Sequence, residues 1–210
     1  TEYDKIRTQF KLTLTHMDIG GGLGIFYTQA DDPPETLKAG KAICEKIIAT
    51  AKKLNYPVPQ LILEPGRSLI ARAGMTLYKV GAIKHIPELN KTYVAVNGGM
   101  GDNIRPALYG ASYTAIIANK PEATTKTVTI AGKYCESGDV LFPELQVPES
   151  IETGDLLLVF CTGAYNYSMS SQYNRIPRPG TVMVNSGYAT QLIKRETYHD
   201  IIRQDLIPTG

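Results

Sequence analysis

The chain has 210 residues, 43% hydrophobic and 20% charged, with a formal net charge of +2. That balance suits one large or two modest globular domains and gives no electrostatic case for nucleic acid or a membrane surface as the main partner. The longest aliphatic and aromatic run, Leu156 to Phe160, is far too short to span a bilayer.

In chain order, Phe10 to Ile19 ("FKLTLTHMDI") alternates polar and apolar residues and predicts a strand ending at the glycines of "DIGGGLG", Asp18 to Gly24. Acidic residues and prolines from Asp31 predict a helix start. Ile43, Ile47, Ala51 and Leu54 then give it an apolar stripe to about Asn55. Leu61 to Leu63 reads as a short buried strand, broken at Glu64-Pro65-Gly66-Arg67. Residues 10–67 thus form a strand–loop–helix–strand unit of a parallel sheet. From Met75 the texture changes to short Val-, Ile-, Thr- and Tyr-rich runs: "MTLYKVGAIKHI", "KTYVAVNGG", "TVTIAGKYC", "DLLLVFCTG" and "RPGTVMVN". These predict an antiparallel β-barrel or sandwich. The fold class is therefore α/β plus all-β, with a boundary near Ala73. One βαβ unit leaves an open edge and an uncovered face, so residues 1–73 read as the tail of a larger α/β domain, and 74–210 as the β domain. Thr1 in place of Met fits a processed start or a fragment.

Several stretches carry possible chemistry. The Gly20–Gly24 loop and the Glu64–Arg67 loop both follow parallel strands, where glycine amides suit a phosphate; tight turns with nothing bound are the alternative. "GGGLG" is not G-x-G-x-x-G, which argues against a dinucleotide site. Arg67 can grip a phosphate or carboxylate in bidentate fashion, or make a surface ion pair. In "NGGMGDNIRPALYG", Arg105 and Tyr109 are four apart and would face the same way on one helical turn. "KYCESGDVL" sets Cys135 beside Glu136 and Asp139, an arrangement that suits a proton donor over a nucleophile, or a packed turn. "CTGAYNYSMSSQYN" concentrates Tyr and Ser in a loop that lines a ligand or an interface, or is simply a surface loop. Cys44, Cys135 and Cys161 are an odd number without metal-site spacing, which predicts reduced thiols, a cytoplasmic location and no metal.

Taken in order, "DIGGGLGI", "LEPGRSL", "NGGMGDNIRPALYG", "CESGD" and "TGAYNYSMSSQYN" closely resemble the diaminopimelate decarboxylases, pyridoxal-phosphate enzymes of the alanine-racemase-like fold type. The resemblance runs from about Leu14 to Thr197. It implies that residues 1–73 hold the last strands of a (β/α)8 barrel and that a β domain follows. It implies a cofactor phosphate held by Gly20, Gly21 and Gly22 with Glu64, Gly66 and Arg67, and a cofactor contact from Tyr165, which also reaches substrate. The substrate implied is meso-diaminopimelate, with Arg67, Arg105 and Tyr109 around its distal carboxylate and Glu136 near its distal ammonium. Cys135 corresponds to the family's proton donor. It and Glu136 are implied to reach a partner subunit's site in a homodimer.

The Schiff-base lysine and the ring-stacking histidine of the family lie upstream of "DIGGGLG" and match nothing here; His16, His85 and His199 are elsewhere. The expectation is a C-terminal half that is inactive without its N-terminal barrel half. The other readings are a decarboxylase of the same fold acting on ornithine, arginine or carboxynorspermidine, and a non-catalytic dimerising half-protein.

Overall fold

The computed structural model describes residues 1–121 and 124–208, which divide into two compact units, Thr1–Arg72 and Ala73–Gly210. The first unit runs α1 (Glu2–Phe10), β1 (His16–Asp18), α2 (Thr36–Lys53), β2 (Gln60–Ile62) and α3 (Gly66–Ile70). β1 and β2 pair in parallel, His16 opposite Gln60 and Asp18 opposite Ile62, with α2 as the crossover. The strand expected over Phe10–Ile19 is confined to His16–Asp18. Phe10 instead closes α1, and Lys11 turns into the left-handed region at its C-cap. Beyond Thr15, whose carbonyl accepts the Gln60 N–H (2.8 Å), the ladder stops at Leu14, where a side chain takes the place of a neighbouring strand. The Leu14 N–H donates to the Tyr56 hydroxyl (2.8 Å), and that hydroxyl donates to the Leu14 carbonyl (3.1 Å). Arg7 caps the far end of α2, donating to the carbonyls of Leu54 (3.0 Å) and Asn55 (2.7 Å) and lying over the Tyr56 ring.

α2 starts at Thr36, five residues after Asp31, because Asp31 is engaged upstream. Its carboxylate accepts from the N–H groups of Tyr27 and Thr28 and from the Thr28 hydroxyl. Those bonds hold the Asp31 carboxyl below its ordinary range. The strand expected to be buried at 61–63 is not: Ile62 and Leu63 are exposed on the small sheet.

The second unit is built on a six-stranded sheet of β3 (Thr76–Ile86), β4 (Lys91–Val96), β5 (Ala115–Ile117), β6 (Thr125–Ala131), β7 (Val140–Pro148) and β8 (Leu156–Val159), in the order β5-β8-β3-β4-β6-β7. β5 and β7, at the two ends of that order, touch, so the sheet nearly closes on itself. It is mixed rather than antiparallel, since β4 pairs with β6 in parallel. The segment from Asn97 to Lys120, with its own short helix and strand, separates β4 from β6, so β6 enters beside β4 in the same direction instead of folding back as a hairpin. Val80, Val94, Val128, Ile130, Val147, Leu157 and Val159 fill the interior. α4 (Arg105–Tyr109), a separate hairpin of β9 (Thr181–Asn185) and β10 (Tyr188–Ile193), and α5 (Tyr198–Ile202) complete the unit. Among the described residues, no helix is long and apolar enough to cross a membrane.

Candidate active site

In the first unit the two glycine-bearing loops are joined. The Glu64 N–H donates to the Gly20 carbonyl (2.8 Å), and the Gly20 N–H donates to Asp18 Oδ1 (2.7 Å). Gly20 (φ +67°) and Gly22 (φ +81°) lie in the left-handed region, with open space where a Cβ would point. Gly21 packs against the Glu64 carbonyl so closely that a Cβ there would overlap its oxygen. Among the described residues, the amides of Gly21, Gly22 and Leu23 have no acceptor within the chain. Amides without an acceptor, on a glycine loop with open space beside it, are groups of the kind that fit the phosphate of a cofactor. Gly66 and Arg67 begin α3, directly after Glu64 and Pro65.

In the second unit the loop after β4 is folded around two carboxylates. Tyr78 donates to Asp102, whose other oxygen accepts the Gly99 N–H (2.9 Å). Asp139 accepts the N–H of Met100 (2.7 Å) and of Tyr134 (2.8 Å). Gly98 and Gly101 leave room for the Tyr78 and Tyr134 rings, and Gly99 and Gly132 for the Asp139 carboxylate. Burial raises the Asp102 and Asp139 carboxyls above their ordinary range, and the Tyr78 hydroxyl is pushed well up by burial and by Asp102. Asp139 therefore serves as a brace between the loop after β4 and the turn after β6.

This scaffold presents α4. Pro106 at its start and Gly110, left-handed at its end, bound a single turn, which puts Arg105 and Tyr109 on one side. The Arg105 guanidinium lies 5.7 Å from the Tyr109 ring centre and 5.3 Å from that of Tyr165. Tyr165 is at φ +66° and Cys161 at φ +60°, backbone that non-glycine residues rarely adopt. The loop holding them is seated by the Thr162 N–H on the Gly74 carbonyl (2.9 Å) and by Thr76 donating to the Thr162 hydroxyl (2.8 Å). Strain of this kind persists where the surroundings over-determine a side chain's position.

Cys135 and Glu136 share an exposed turn after β6. Glu136 accepts from the Gly138 N–H (3.3 Å) and the Ser137 hydroxyl (3.2 Å), which hold its carboxyl below the usual range. It is an anion at neutral pH, suited to an ammonium group. The second unit therefore assembles Arg105, Tyr109 and Tyr165 into one cluster. Asp139 links the Cys135–Glu136 turn to the loop that precedes α4, by taking the N–H of Tyr134 and of Met100. Tyr173 and Asn174 close the stretch "CTGAYNYSMSSQYN", but sequence reasoning gave neither a role of its own. The Asn174 amide oxygen accepts the Cys135 N–H (3.1 Å), and the Tyr173 hydroxyl donates to Glu136 (3.4 Å). Their partners lie 39 and 37 residues earlier in the chain, so no local pattern marks them.

Residues 5–163 match the family described as pyridoxal-dependent decarboxylase, C-terminal sheet domain. The chain is 50% identical over 204 residues to the diaminopimelate decarboxylase of Bacillus subtilis, covering 97% of this chain and 46% of that protein. It is 46% identical over 200 residues to that of Synechocystis sp., covering 95% and 42%. A crystal structure of the M. jannaschii diaminopimelate decarboxylase in complex with L-lysine superposes with a TM-score of 0.89 at 35% identity, covering 99% of this chain and 46% of that one. The chain thus spans about half the length of the curated relatives it matches, and it belongs to the pyridoxal-dependent decarboxylases, as the part of that family containing the C-terminal sheet domain.

Proposed function

We propose that this chain is the C-terminal part of a diaminopimelate decarboxylase, which converts meso-2,6-diaminopimelate to L-lysine and carbon dioxide in lysine biosynthesis. The observation that carries this reading is that the second unit carries both kinds of charge such a site needs: an aromatic-flanked Arg105 and an ionised Glu136. The far head of diaminopimelate bears both a carboxylate and an ammonium. A diamine-forming decarboxylase, whose substrate has only an ammonium there, has no use for the arginine. The 50% identity to a named diaminopimelate decarboxylase supports the same choice.

Pyridoxal 5'-phosphate, when bound, supplies the electron sink that makes loss of carbon dioxide feasible. The residues present fit its phosphate: Gly21 and Gly22 by their amides, Gly20 by the turn that leaves the loop uncrowded, with Glu64, Gly66 and Arg67 on the adjoining loop. Arg67 also keeps the carboxylate-binding role that the resemblance implies. Tyr165 contacts cofactor and substrate. Arg105 and Tyr109 orient the distal carboxylate and Glu136 the distal ammonium. Cys135 Sγ delivers a proton to the carbon that loses its carboxyl group. In this reading residues 1–73 are the end of a (β/α)8 barrel and residues 74–210 form the β domain. The missing N-terminal half supplies the Schiff-base lysine, two subunits share each site, and the enzyme is cytoplasmic. The reading needs no nucleic acid, membrane or metal.

The test is turnover by the full-length protein carrying this chain, loaded with pyridoxal phosphate. Stoichiometric L-lysine and carbon dioxide from meso-diaminopimelate, with kcat/KM at least a hundredfold above that for ornithine or arginine, is expected. Equal or better use of ornithine or arginine would sink it.

A further inference from the structure

The turn that carries Cys135 and Glu136 is exposed, and a short exposed turn does not hold two side chains in place by itself. Its inner side is fixed by Asp139 through the Tyr134 N–H. Its outer side is fixed by residues 171–175, from the far end of the Tyr- and Ser-rich loop. There the Asn174 amide oxygen accepts the Cys135 N–H (3.1 Å), the Tyr173 ring stacks on Tyr134 (centres 6.0 Å apart, planes 20° apart) and the Tyr173 hydroxyl points at Glu136. The segment is anchored in turn. The Ser171 N–H donates to the Gly101 carbonyl (2.8 Å), and Gln172 Nε2 donates to Glu196 (3.0 Å). Asn174 and Arg175 take left-handed backbone, φ +54° and +57°, and Arg175 is paired with Asp205 at 2.8 Å. Two consecutive residues in that region are a local cost, and it is these residues that bring the Asn174 side chain onto the Cys135 amide.

We propose that Tyr173 and Asn174 are positioning residues: Asn174 sets the direction of the Cys135 thiol through the peptide it holds, and Tyr173 sets the rotamer of Glu136. The inference rests on the roles proposed above for Cys135 and Glu136. The two contacts act on different steps. Asn174 governs proton delivery, which belongs to turnover. Tyr173 governs the anion that meets the ammonium, which belongs to binding.

The experiment uses the full-length, cofactor-loaded protein and three variants. N174G keeps the left-handed backbone, which glycine adopts freely, and loses only the acceptor. N174D restores an acceptor oxygen. Y173F keeps the ring stack and loses the hydroxyl. N174G is expected to lower kcat five- to fiftyfold with KM within twofold, N174D to recover most of that loss, and Y173F to raise KM three- to tenfold with kcat within twofold. Hydrogen exchange at the Cys135 amide is read in parallel and should quicken at least tenfold in N174G. That measurement needs no substrate. If the wild type fails to decarboxylate diaminopimelate, the functional reading fails, yet the exchange rate still decides whether Asn174 holds the turn. An unchanged Cys135 exchange rate in N174G, or kcat and KM of both N174G and Y173F within twofold of wild type, overturns the proposal.

Discussion

Glu196 shows how one side chain can organise a loop. Its two oxygens accept from Arg178 Nε (2.8 Å), Arg178 Nη2 (2.5 Å), the Arg178 N–H (2.9 Å) and Gln172 Nε2 (3.0 Å). Hydrogen bonds from Arg178 pull its carboxyl down to about 2 against its desolvation. A carboxylate depressed on folding contributes stability above its unfolded value and loses it as pH falls through the folded value. Wild type should therefore exceed E196Q in Tm near neutral pH, and the gap should narrow below about pH 4.5 and close near pH 2. A gap that is constant from pH 7 to pH 2 would contradict this. Gly21 gives a second residue-scale prediction. A Cβ there overlaps the Glu64 carbonyl, which is backbone and cannot swing away. G21A should part the two loops, costing about 1–3 kcal/mol in stability and weakening pyridoxal phosphate binding at least tenfold, as read by cofactor absorbance on the full-length protein. At this scale the sequence was most legible where glycines mark a turn or candidate residues stand side by side, as in "DIGGGLG" and "CESGD". Tyr173, Asn174 and the bracing role of Asp139 were not legible, because each is defined by a partner from another loop.

At the scale of elements, the runs that alternate strongly became strands. "MTLYKVGAIKHI" contains β3 and "KTYVAVNGG" contains β4, since each places apolar side chains on the core face at period two, Tyr78 and Val80 in one and Val94 and Val96 in the other. β5 has only three residues, and β7 contains two prolines and two polar residues that mask its pattern. The parallel pairing of β4 with β6 depends on a long intervening segment and cannot be seen in either strand alone. What holds that segment is Asp139, at the edge of β7. It takes one N–H from the loop after β4 and one from the turn after β6. Asp139→Ala leaves both donors without an acceptor and opens space under Gly99 and Gly132. The expected loss is about 2–5 kcal/mol in urea unfolding, with D139N intermediate because its amide oxygen still accepts one bond. A loss below about 0.5 kcal/mol for D139A would mean that the loops are held by other contacts.

At the scale of the whole molecule, the two units differ in how their backbones are satisfied. The second has a six-stranded sheet whose end strands touch. The first has two strands of three residues each, with Ile19, Ile62 and Leu63 exposed around them. A two-stranded parallel sheet is marginal in water, and each of its strands has an edge open to another strand. Its two glycine-bearing loops, Gly20–Gly24 and Glu64–Arg67, contain no lysine that could form a Schiff base with a carbonyl cofactor. The isolated 210-residue chain is thus expected to be a half-site on a stable β domain. By hydrogen exchange, the amides of β1 and β2 should exchange at least a hundredfold faster than those of β3, β4 and β8. With pyridoxal phosphate and meso-diaminopimelate the chain should release no lysine. On the proposed reading, co-expression with the preceding half of the full-length protein should slow exchange in β1 and β2 and bring lysine production with it, because pairing of the open edges would both extend the sheet and bring in the amine that these loops lack. Protection of β1 and β2 equal to that of β3 in the isolated chain would show that the first unit is self-sufficient. Lysine release by that chain alone would show that its own residues supply the amine.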